Sequence, residues 1–213
     1  MSQQPGDPSE SPESLESGGG PRRALIVVDV QPTFCEDGEL PVPGGNAIAE
    51  RIAEYLRERH SDYAIVATTQ DWHDDPGHHF SADPDFVDTW PPHGVVGTRN
   101  AELHPAVAAA VAGLAGVVHT RKGLHQAAYS GFDGADESGR SLATVLADAL
   151  VEAVDVCGIA ESHCVKSTAL DAIKLGYPTT VLNDLTVPVT EELGVRARDE
   201  MSAAGVRSRS ATR

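Results

Sequence analysis

The sequence predicts an α/β domain built on a mostly parallel sheet. Two observations lead to this prediction. Short, almost wholly apolar runs recur along the chain, and longer stretches with helical spacing of apolar residues separate them. Such runs suit parallel strands covered on both faces, and their alternation with helices is typical of α/β domains. The predicted strands are residues 24–29, 64–68, 117–120, 154–159 and 179–182.

Helices are predicted between these strands. Gly176 and Pro178 end the third helix, because glycine followed by proline commonly closes a helix. Residues 71–100 fit neither pattern, since they are dense in His, Asp, Pro and Gly and lack regular apolar spacing. A loop of this length in a compact domain is usually functional. The predicted helices are residues 47–59, 142–152, 165–176 and 190–204.

The N-terminal segment has a different composition from the rest of the chain. Residues 1–20 consist mostly of Ser, Glu, Pro, Gly and Gln, which bury too little apolar surface to offset the entropy of ordering. The remaining length is suitable for one domain. We therefore predict a disordered acidic tail over residues 1–20 and a single domain over residues 21–213.

The chain is strongly acidic, with 32 Asp and Glu against 16 Lys and Arg and a formal net charge of -16. This charge would repel nucleic-acid phosphates and anionic membrane surfaces, so we expect neither as a partner. The apolar runs are far shorter than the roughly 20 residues that cross a bilayer, and the N-terminus lacks the pattern of a secretory signal. We expect a cytoplasmic monomer or small homo-oligomer that acts on a small molecule.

Reactive residues follow several of the predicted strands. In open parallel sheets, ligands bind at the carboxyl ends of the strands. Asp29 ends the first predicted strand, and Asp71 and His73 follow the second. Lys122 follows the third strand and Cys164 follows the fourth. These residues, distant in sequence, are therefore expected to meet at one edge of the sheet.

Cys164 is the candidate nucleophile among the three cysteines. It directly precedes a predicted helix, where free backbone amides and the helix dipole favour a thiolate and lower the pKa of the thiol. The alternative is a small buried apolar residue, which most lone cysteines are. Cys157, within a predicted strand, is expected in the core, and Cys35 has no assigned chemistry.

Asp29 and Lys122 form a candidate ion pair. Asp29 ends an otherwise apolar strand, where an unpaired carboxylate is costly, and Lys122 can supply the opposite charge. The alternative is an Asp that caps a turn and a Lys on a solvated loop.

The long loop also contains a candidate metal site. Asp71 and His73 are two residues apart on an extended segment, so their side chains point to the same side. With His79 and His93 they supply one carboxylate and three imidazoles, a set suited to zinc, manganese or iron. The alternative is a surface loop that happens to be rich in histidine. Five of the nine histidines lie in or near this loop, which favours the metal site: His73, His78, His79, His93 and His104.

Six segments stand in order along the chain: ALIVVDVQPTFCEDGELPVPGG, DWHDDPGHHF, WPPHGVVGT, RKG, AYSGFDG and GIAESHCVKSTALDA. Together they resemble the nicotinamidase/pyrazinamidase family of isochorismatase-like cysteine hydrolases. The resemblance runs from about residue 23 to residue 204. It implies a three-layer α/β/α sandwich. It also implies a metal-dependent cysteine amidohydrolase that converts nicotinamide to nicotinate and ammonia and accepts pyrazinamide.

The resemblance implies a catalytic role for several matching residues. Asp29, Lys122 and Cys164 would form the catalytic triad. The backbone amides of Ala160 and Cys164 would form the oxyanion hole, after a cis peptide bond between Ile159 and Ala160.

The resemblance further implies how metal and substrate are held. One divalent ion (Zn, Fe or Mn) would be bound by Asp71, His73 and His93, with His79 as a further ligand, whereas His78 has no counterpart role. The residues matching those that hold the pyridine ring are Phe34, Trp90 and Tyr129.

Two stretches depart from the family pattern. Pro32 and Thr33 stand where Asn and Asp are usual, and residues 124–126, Leu-His-Gln, replace smaller and aromatic residues. We expect both stretches to lie beside the substrate pocket.

Two other functions remain open. One is a cysteine amidase for another small carboxamide, and the other is a catalytically silent metal-binding domain on the same fold. The joint presence of Asp29, Lys122 and Cys164 speaks against the silent domain. An isochorismatase proper is disfavoured, because it usually lacks both the cysteine and the metal set.

Overall fold

The computed structural model describes residues 20–212, so nearly all of the predicted tail lies outside the described residues. Within this range six parallel strands form one sheet in the order β3-β2-β1-β4-β5-β6. The strands are β1 (Arg23–Val28), β2 (Ile65–Asp71), β3 (Val117–Lys122), β4 (Ala153–Ile159), β5 (Thr179–Val187) and β6 (Arg207–Arg209).

Helices cover both faces of this sheet: α1 (Gly45–Arg59), α2 (Pro105–Val111), α3 (Leu142–Asp148), α4 (Lys166–Lys174) and α5 (Glu191–Ala203). Alternate residues of the fully apolar part of β1 face opposite ways. Leu25 and Val27 pack in one core cluster with α1 and α2, while Ala24 and Ile26 pack in a second cluster with α3, α4 and α5. The predicted three-layer α/β/α sandwich is confirmed. Among residues 20–212, no helix combines the length and the apolarity needed to cross a membrane.

The structure differs from the sequence prediction mainly at the ends of elements. β2 and β3 continue to Asp71 and Lys122, which were predicted to follow the strands. The apolar pattern stops earlier, because the last residues of both strands are polar although most of them are buried. The seven-residue α2 and the three-residue β6 were not predicted, since both are too short to show a clear period.

The sheet order reverses between β1 and β4, and this reversal creates the crevice for a site. The chain passes from β1 to β2 and β3 on one side, and continues with β4, β5 and β6 on the other. In sheets of this order, ligands bind at the carboxyl ends of the strands beside the reversal. Asp29 leaves the end of β1 with a left-handed φ of 48°, which turns the chain out of the sheet at this point.

Gly158 allows β4 to approach β1 closely beside the crevice. It is paired with Val28 in the sheet and has a φ of 126°, a conformation that side chains rarely adopt. A Cβ at this position would overlap the backbone carbonyl of Val28. The register of β4 and β5 also shifts at this glycine, and the hydroxyl of Thr186 donates to its carbonyl at 2.7 Å.

We predict that Gly158→Ala lowers the free energy of unfolding by about 3 kcal/mol or more, because it combines backbone strain with a steric overlap that neither strand can relieve. Urea denaturation of the purified proteins measures this change. Gly113→Ala is the matched control, since a Cβ there meets open space and the residue has no left-handed φ. Equal unfolding midpoints for wild type and Gly158→Ala would contradict the prediction.

Candidate active site

A cavity of about 560 Å³ opens at the crevice. Its size suits a small molecule, and its wall is mostly apolar and aromatic with a few polar groups, as is typical of ligand pockets. Cys164, Asp71, His79 and His93 all reach this wall. Of the residues predicted to meet at one sheet edge, Asp71 and Cys164 line this cavity, and Lys122 contacts both of them from behind its wall.

Lys122 lies at the centre of the polar groups. Its Nζ is 3.0 Å from Oδ2 of Asp29 and 3.9 Å from Sγ of Cys164. The same atom pairs with the carboxylate of Asp71 and donates to the carbonyl of Ala128 at 2.8 Å. The sheet register places Asp71 and Lys122 directly opposite each other on β2 and β3. The predicted ion pair of Asp29 and Lys122 is present, and both side chains are fully buried.

The pKa values of the two carboxylates beside Lys122 are shifted in opposite directions. Burial raises the pKa of Asp29 above its usual range, although Lys122 and a 2.6 Å hydrogen bond from the hydroxyl of Thr69 oppose it. For Asp71 burial acts in the same direction, but Lys122 and the nearby histidines outweigh it and hold the pKa well below the usual range. Two carboxyl groups whose pKa values are pushed apart are a common acid–base arrangement in enzymes.

Cys164 differs from its prediction in both position and pKa. It lies inside a single π-helical turn, Glu161–Val165, that leads into α4, rather than directly before a regular helix. Burial raises the pKa of its thiol well above the ordinary value, because the attraction of Lys122 does not offset desolvation and the carboxylate of Asp29. The prediction of a lowered pKa is wrong, and the thiol needs a base to become a nucleophile.

Three imidazoles meet next to this group. The ring nitrogens of His73, His79 and His93 that could bind a metal all lie within 4.8 Å of one another. Oδ2 of Asp71 is 3.5 Å from Nε2 of His93 and 3.7 Å from Nε2 of His73, so this carboxylate borders the cluster while its other oxygen faces Lys122. The four predicted ligands are thus brought together, whereas His78 is exposed.

The chemistry of this donor set fits a divalent metal ion. His73 and His93 contact the backbone carbonyls of Gly123 and Pro91 through Nδ1, at 3.3 Å and 2.8 Å, which directs Nε2 of each ring to the cluster. Nε2 of His73 is buried and has no hydrogen-bond partner within residues 20–212. Burial, together with the neighbouring histidines, lowers the pKa of His79 to about 4, and neutral imidazole is the form that binds metals.

Two residues that were not predicted, Gln31 and Gly123, hold this cluster in place. The buried amide of Gln31 accepts from the backbone N–H of Asp71 and donates to its carbonyl, both at 2.9 Å. Gly123, with a φ of 92°, packs against the ring of His73 so closely that a Cβ would overlap it. A polar residue three positions after the end of the apolar β1 is the one sequence signal that could have identified Gln31.

The predicted ring-binding residues Phe34, Trp90 and Tyr129 all line the cavity. The indole Nε1 of Trp90 donates to the hydroxyl of Tyr129 at 2.9 Å, which ties two of them together. His163 was not predicted, although it lines the same cavity and its ring meets that of Trp90 edge-on at 5.5 Å. Its position next to Cys164 in sequence is the signal that could have identified it.

Of the two departures from the family pattern, one adjoins the cavity and the other does not. Pro32 and Thr33 form a short 3-10 turn with Phe34, and of these three residues Phe34 is the one that lines the cavity. Residues 124–126 are exposed and line a separate surface cavity. The expectation that both stretches lie beside the pocket is wrong for residues 124–126, whereas Pro32 and Thr33 adjoin Phe34 in the cavity wall.

The backbone between β4 and α4 has the predicted cis peptide bond between Ile159 and Ala160. The N–H groups of His163 and Val165 both donate to the carbonyl of Ala160, at 3.0 Å and 3.2 Å, and so form the π-helical turn. Ala160 and Cys164 both line the cavity, as their predicted role requires.

Comparison with known proteins gives a consistent result. Residues 23–212 match the isochorismatase domain. The nicotinamidase/pyrazinamidase of Mycobacterium tuberculosis is 48% identical over 86% of this chain and 96% of its own length. The pyrazinamidase of Pyrococcus horikoshii in complex with zinc superposes with a TM-score of 0.76 at 34% identity, covering 89% of this chain and 99% of that one. PnC1 from L. infantum in complex with nicotinate gives 0.73 at 32% identity, covering 90% and 93%. This chain therefore belongs to the isochorismatase family and, within it, to the nicotinamidases/pyrazinamidases.

Proposed function

We propose that this protein is a metal-dependent cysteine amidohydrolase that converts nicotinamide to nicotinate and ammonia and also accepts pyrazinamide. The arrangement around Lys122 carries the proposal, because this ammonium joins the carboxylate base Asp29 to the thiol of Cys164, which lines a small aromatic cavity together with His79 and His93. The relatives named nicotinamidase and pyrazinamidase support this choice of substrate.

In the proposed reaction Asp29 accepts the proton of the Cys164 thiol. The sulfur then attacks the amide carbon, a C–S bond forms, and the carbonyl electrons move onto oxygen. Lys122 stabilises the anions around it, first the carboxylate of Asp29 and then the thiolate. The backbone amides of Ala160 and Cys164 receive the oxyanion, and loss of one such donor typically costs about 10² to 10³ in rate.

The second half of the reaction returns the protons. Asp29 gives its proton to the leaving nitrogen as the C–N bond breaks, so ammonia departs and a thioester remains. A water molecule then loses a proton to Asp29 and attacks the thioester carbon. The C–S bond breaks, Asp29 returns its proton to Cys164, and nicotinic acid leaves and ionises to nicotinate, giving its proton to ammonia or water.

The substrate ring is oriented by the rest of the cavity. Asp71, His73, His93 and His79 would hold a divalent ion (Zn, Fe or Mn), which would supply a Lewis acid for the ring nitrogen. The aromatic side chains of Phe34, Trp90 and Tyr129 enclose the ring. Positioning of this kind makes the attack effectively intramolecular.

Ammonia release from nicotinamide tests the function directly. We expect turnover by the metal-loaded wild type and a loss of about 10⁴-fold or more for Cys164→Ala, because the nucleophile is removed. Cys157→Ala is the control, since that thiol is buried within β4. A Cys164→Ala protein with a tenth of wild-type turnover would refute the covalent mechanism. If the wild type shows no turnover, the protein is better interpreted as a catalytically silent metal-binding domain.

His73→Ala is expected to lower metal affinity by about 10- to 100-fold or more and to raise KM more than it lowers kcat, because the ion positions the ring. Elemental analysis and steady-state kinetics measure the two effects. His78→Ala is the control, since His78 is exposed on the same loop. Equal metal content in His73→Ala and wild type would remove His73 from the ligand set.

Thr69→Val is expected to move the acidic limb of the kcat/KM profile to higher pH. Asp29 acts as a base only when ionised, and the Thr69 hydroxyl favours the ionised form, so its loss raises the pKa of Asp29 further. Activity should therefore fall most at low pH and recover as the pH rises. Thr120→Val removes a buried hydroxyl that bonds to the Thr68 carbonyl instead, and its profile should match the wild type. An unchanged acidic limb in Thr69→Val would show that Asp29 does not set it.

A further inference from the structure

Phe86 is a large aromatic residue at the edge of the cavity. Its side chain is 58% exposed, yet it lines the cavity, and its ring meets that of Trp90 edge-on with centroids 6.0 Å apart. An exposed apolar residue by itself says little, because much of any protein surface is apolar. The position of Phe86 on the wall of a ligand-sized cavity makes it informative.

The backbone at Phe86 is held in an unfavourable conformation. Its φ is 58°, a left-handed value that is an outlier for a bulky residue. One oxygen of Asp85 holds the turn by accepting from the N–H groups of Val87, Asp88 and Thr89 at 2.9, 3.0 and 2.9 Å. The same oxygen accepts from the Thr89 hydroxyl at 2.9 Å. The turn is therefore well specified, and it keeps the ring of Phe86 at the cavity.

The turn is also tied to the functional site at its base. The N–H of Trp90 donates to the carbonyl of His79 at 2.8 Å, and the N–H of Ser81 donates to the carbonyl of Trp90 at 2.9 Å. Residues 81–89 thus form a strap between a histidine of the metal cluster and an aromatic wall residue. Trp90 lines the cavity and also holds the base of the strap. A ligand bound in the cavity would therefore meet the residue that anchors the strap.

We propose that Phe86 is a substrate-contacting residue that closes the outer wall of the cavity on a bound aromatic ring, and that Asp85 is the positioning residue that presents it. This inference rests on the proposed function, because the ligand is the ring of the aromatic amide. A bound ring covers part of the exposed ring of Phe86, and removing apolar and aromatic surface from water favours binding.

The kinetic consequence follows from the location of Phe86 away from the triad. It contacts the ring and not the reacting amide, so it stabilises the bound substrate and the transition state equally. An interaction of that kind appears in KM and not in kcat. A residue with a merely structural role would instead change stability, metal content or kcat.

Phe86→Ala is expected to raise KM for nicotinamide about tenfold with kcat within about twofold of wild type, which corresponds to about 1.4 kcal/mol of binding. Val87→Ala is the matched control, because Val87 is 71% exposed on the same turn and does not line the cavity.

Asp85→Ala should raise KM in the same way. The double variant Asp85→Ala/Phe86→Ala should be no worse than Phe86→Ala alone, because Asp85 acts through Phe86.

Calorimetric binding of nicotinamide in the Cys164→Ala background separates this inference from the proposed function. There Phe86→Ala should weaken Kd about tenfold without changing metal content or the unfolding midpoint. A wild type that lacks ammonia release but binds nicotinamide through Phe86 would overturn only the proposed hydrolysis. Turnover with KM and Kd equal in Phe86→Ala and Val87→Ala would overturn only the role of Phe86. Additive effects of Asp85→Ala and Phe86→Ala would overturn the positioning role of Asp85.

Discussion

The site depends on the ion pairs that the buried ammonium of Lys122 makes with Asp29 and Asp71. Two carboxylates, Asp29 and Asp71, are removed from water beside it, and each would be costly without an opposite charge. Asp71 uses one oxygen for Lys122 and turns the other toward the Nε2 atoms of His73 and His93. The same carboxylate therefore belongs to the acid–base group and to the histidine cluster, so neither can shift without disturbing the other.

The sheet makes this sharing possible. Parallel strands lie about 4.8 Å apart, so residues at the ends of neighbouring strands come within contact distance without long connecting loops. Asp71 and Lys122 are partners in the register of β2 and β3, and the N–H of Asp29 bonds to the carbonyl of Thr69 on β2. Three adjacent strands thus position the charged residues, and the reversal between β1 and β4 leaves space for a ligand and for Cys164.

The sequence was sufficient to find the charged residues but not their surroundings. Asp29, Asp71 and Lys122 stand out because each follows or ends an apolar run. The contacts of Gln31 and Thr69 depend on which strands become neighbours, which no local pattern reveals. The pKa of Cys164 was predicted in the wrong direction because position before a helix is visible in the sequence, whereas burial beside two carboxylates is not. The loop that contains Phe86 was predicted to be functional, but the position of Phe86 at the cavity was not predicted, because this loop has no regular apolar spacing.

Raised pKa values at both Asp29 and Cys164 are mutually consistent in the proposed reaction. A resting thiolate would place three anions around the single ammonium of Lys122 in a buried site, which desolvation disfavours. A thiol beside an ionised Asp29 has one anion fewer. Transfer of the proton from sulfur to Asp29 then converts one anion into another, so the total charge around Lys122 stays constant. Burial raises the pKa values of both groups, because each anion loses hydration when it is removed from water. The buried site can therefore move a proton between sulfur and oxygen without adding a charge.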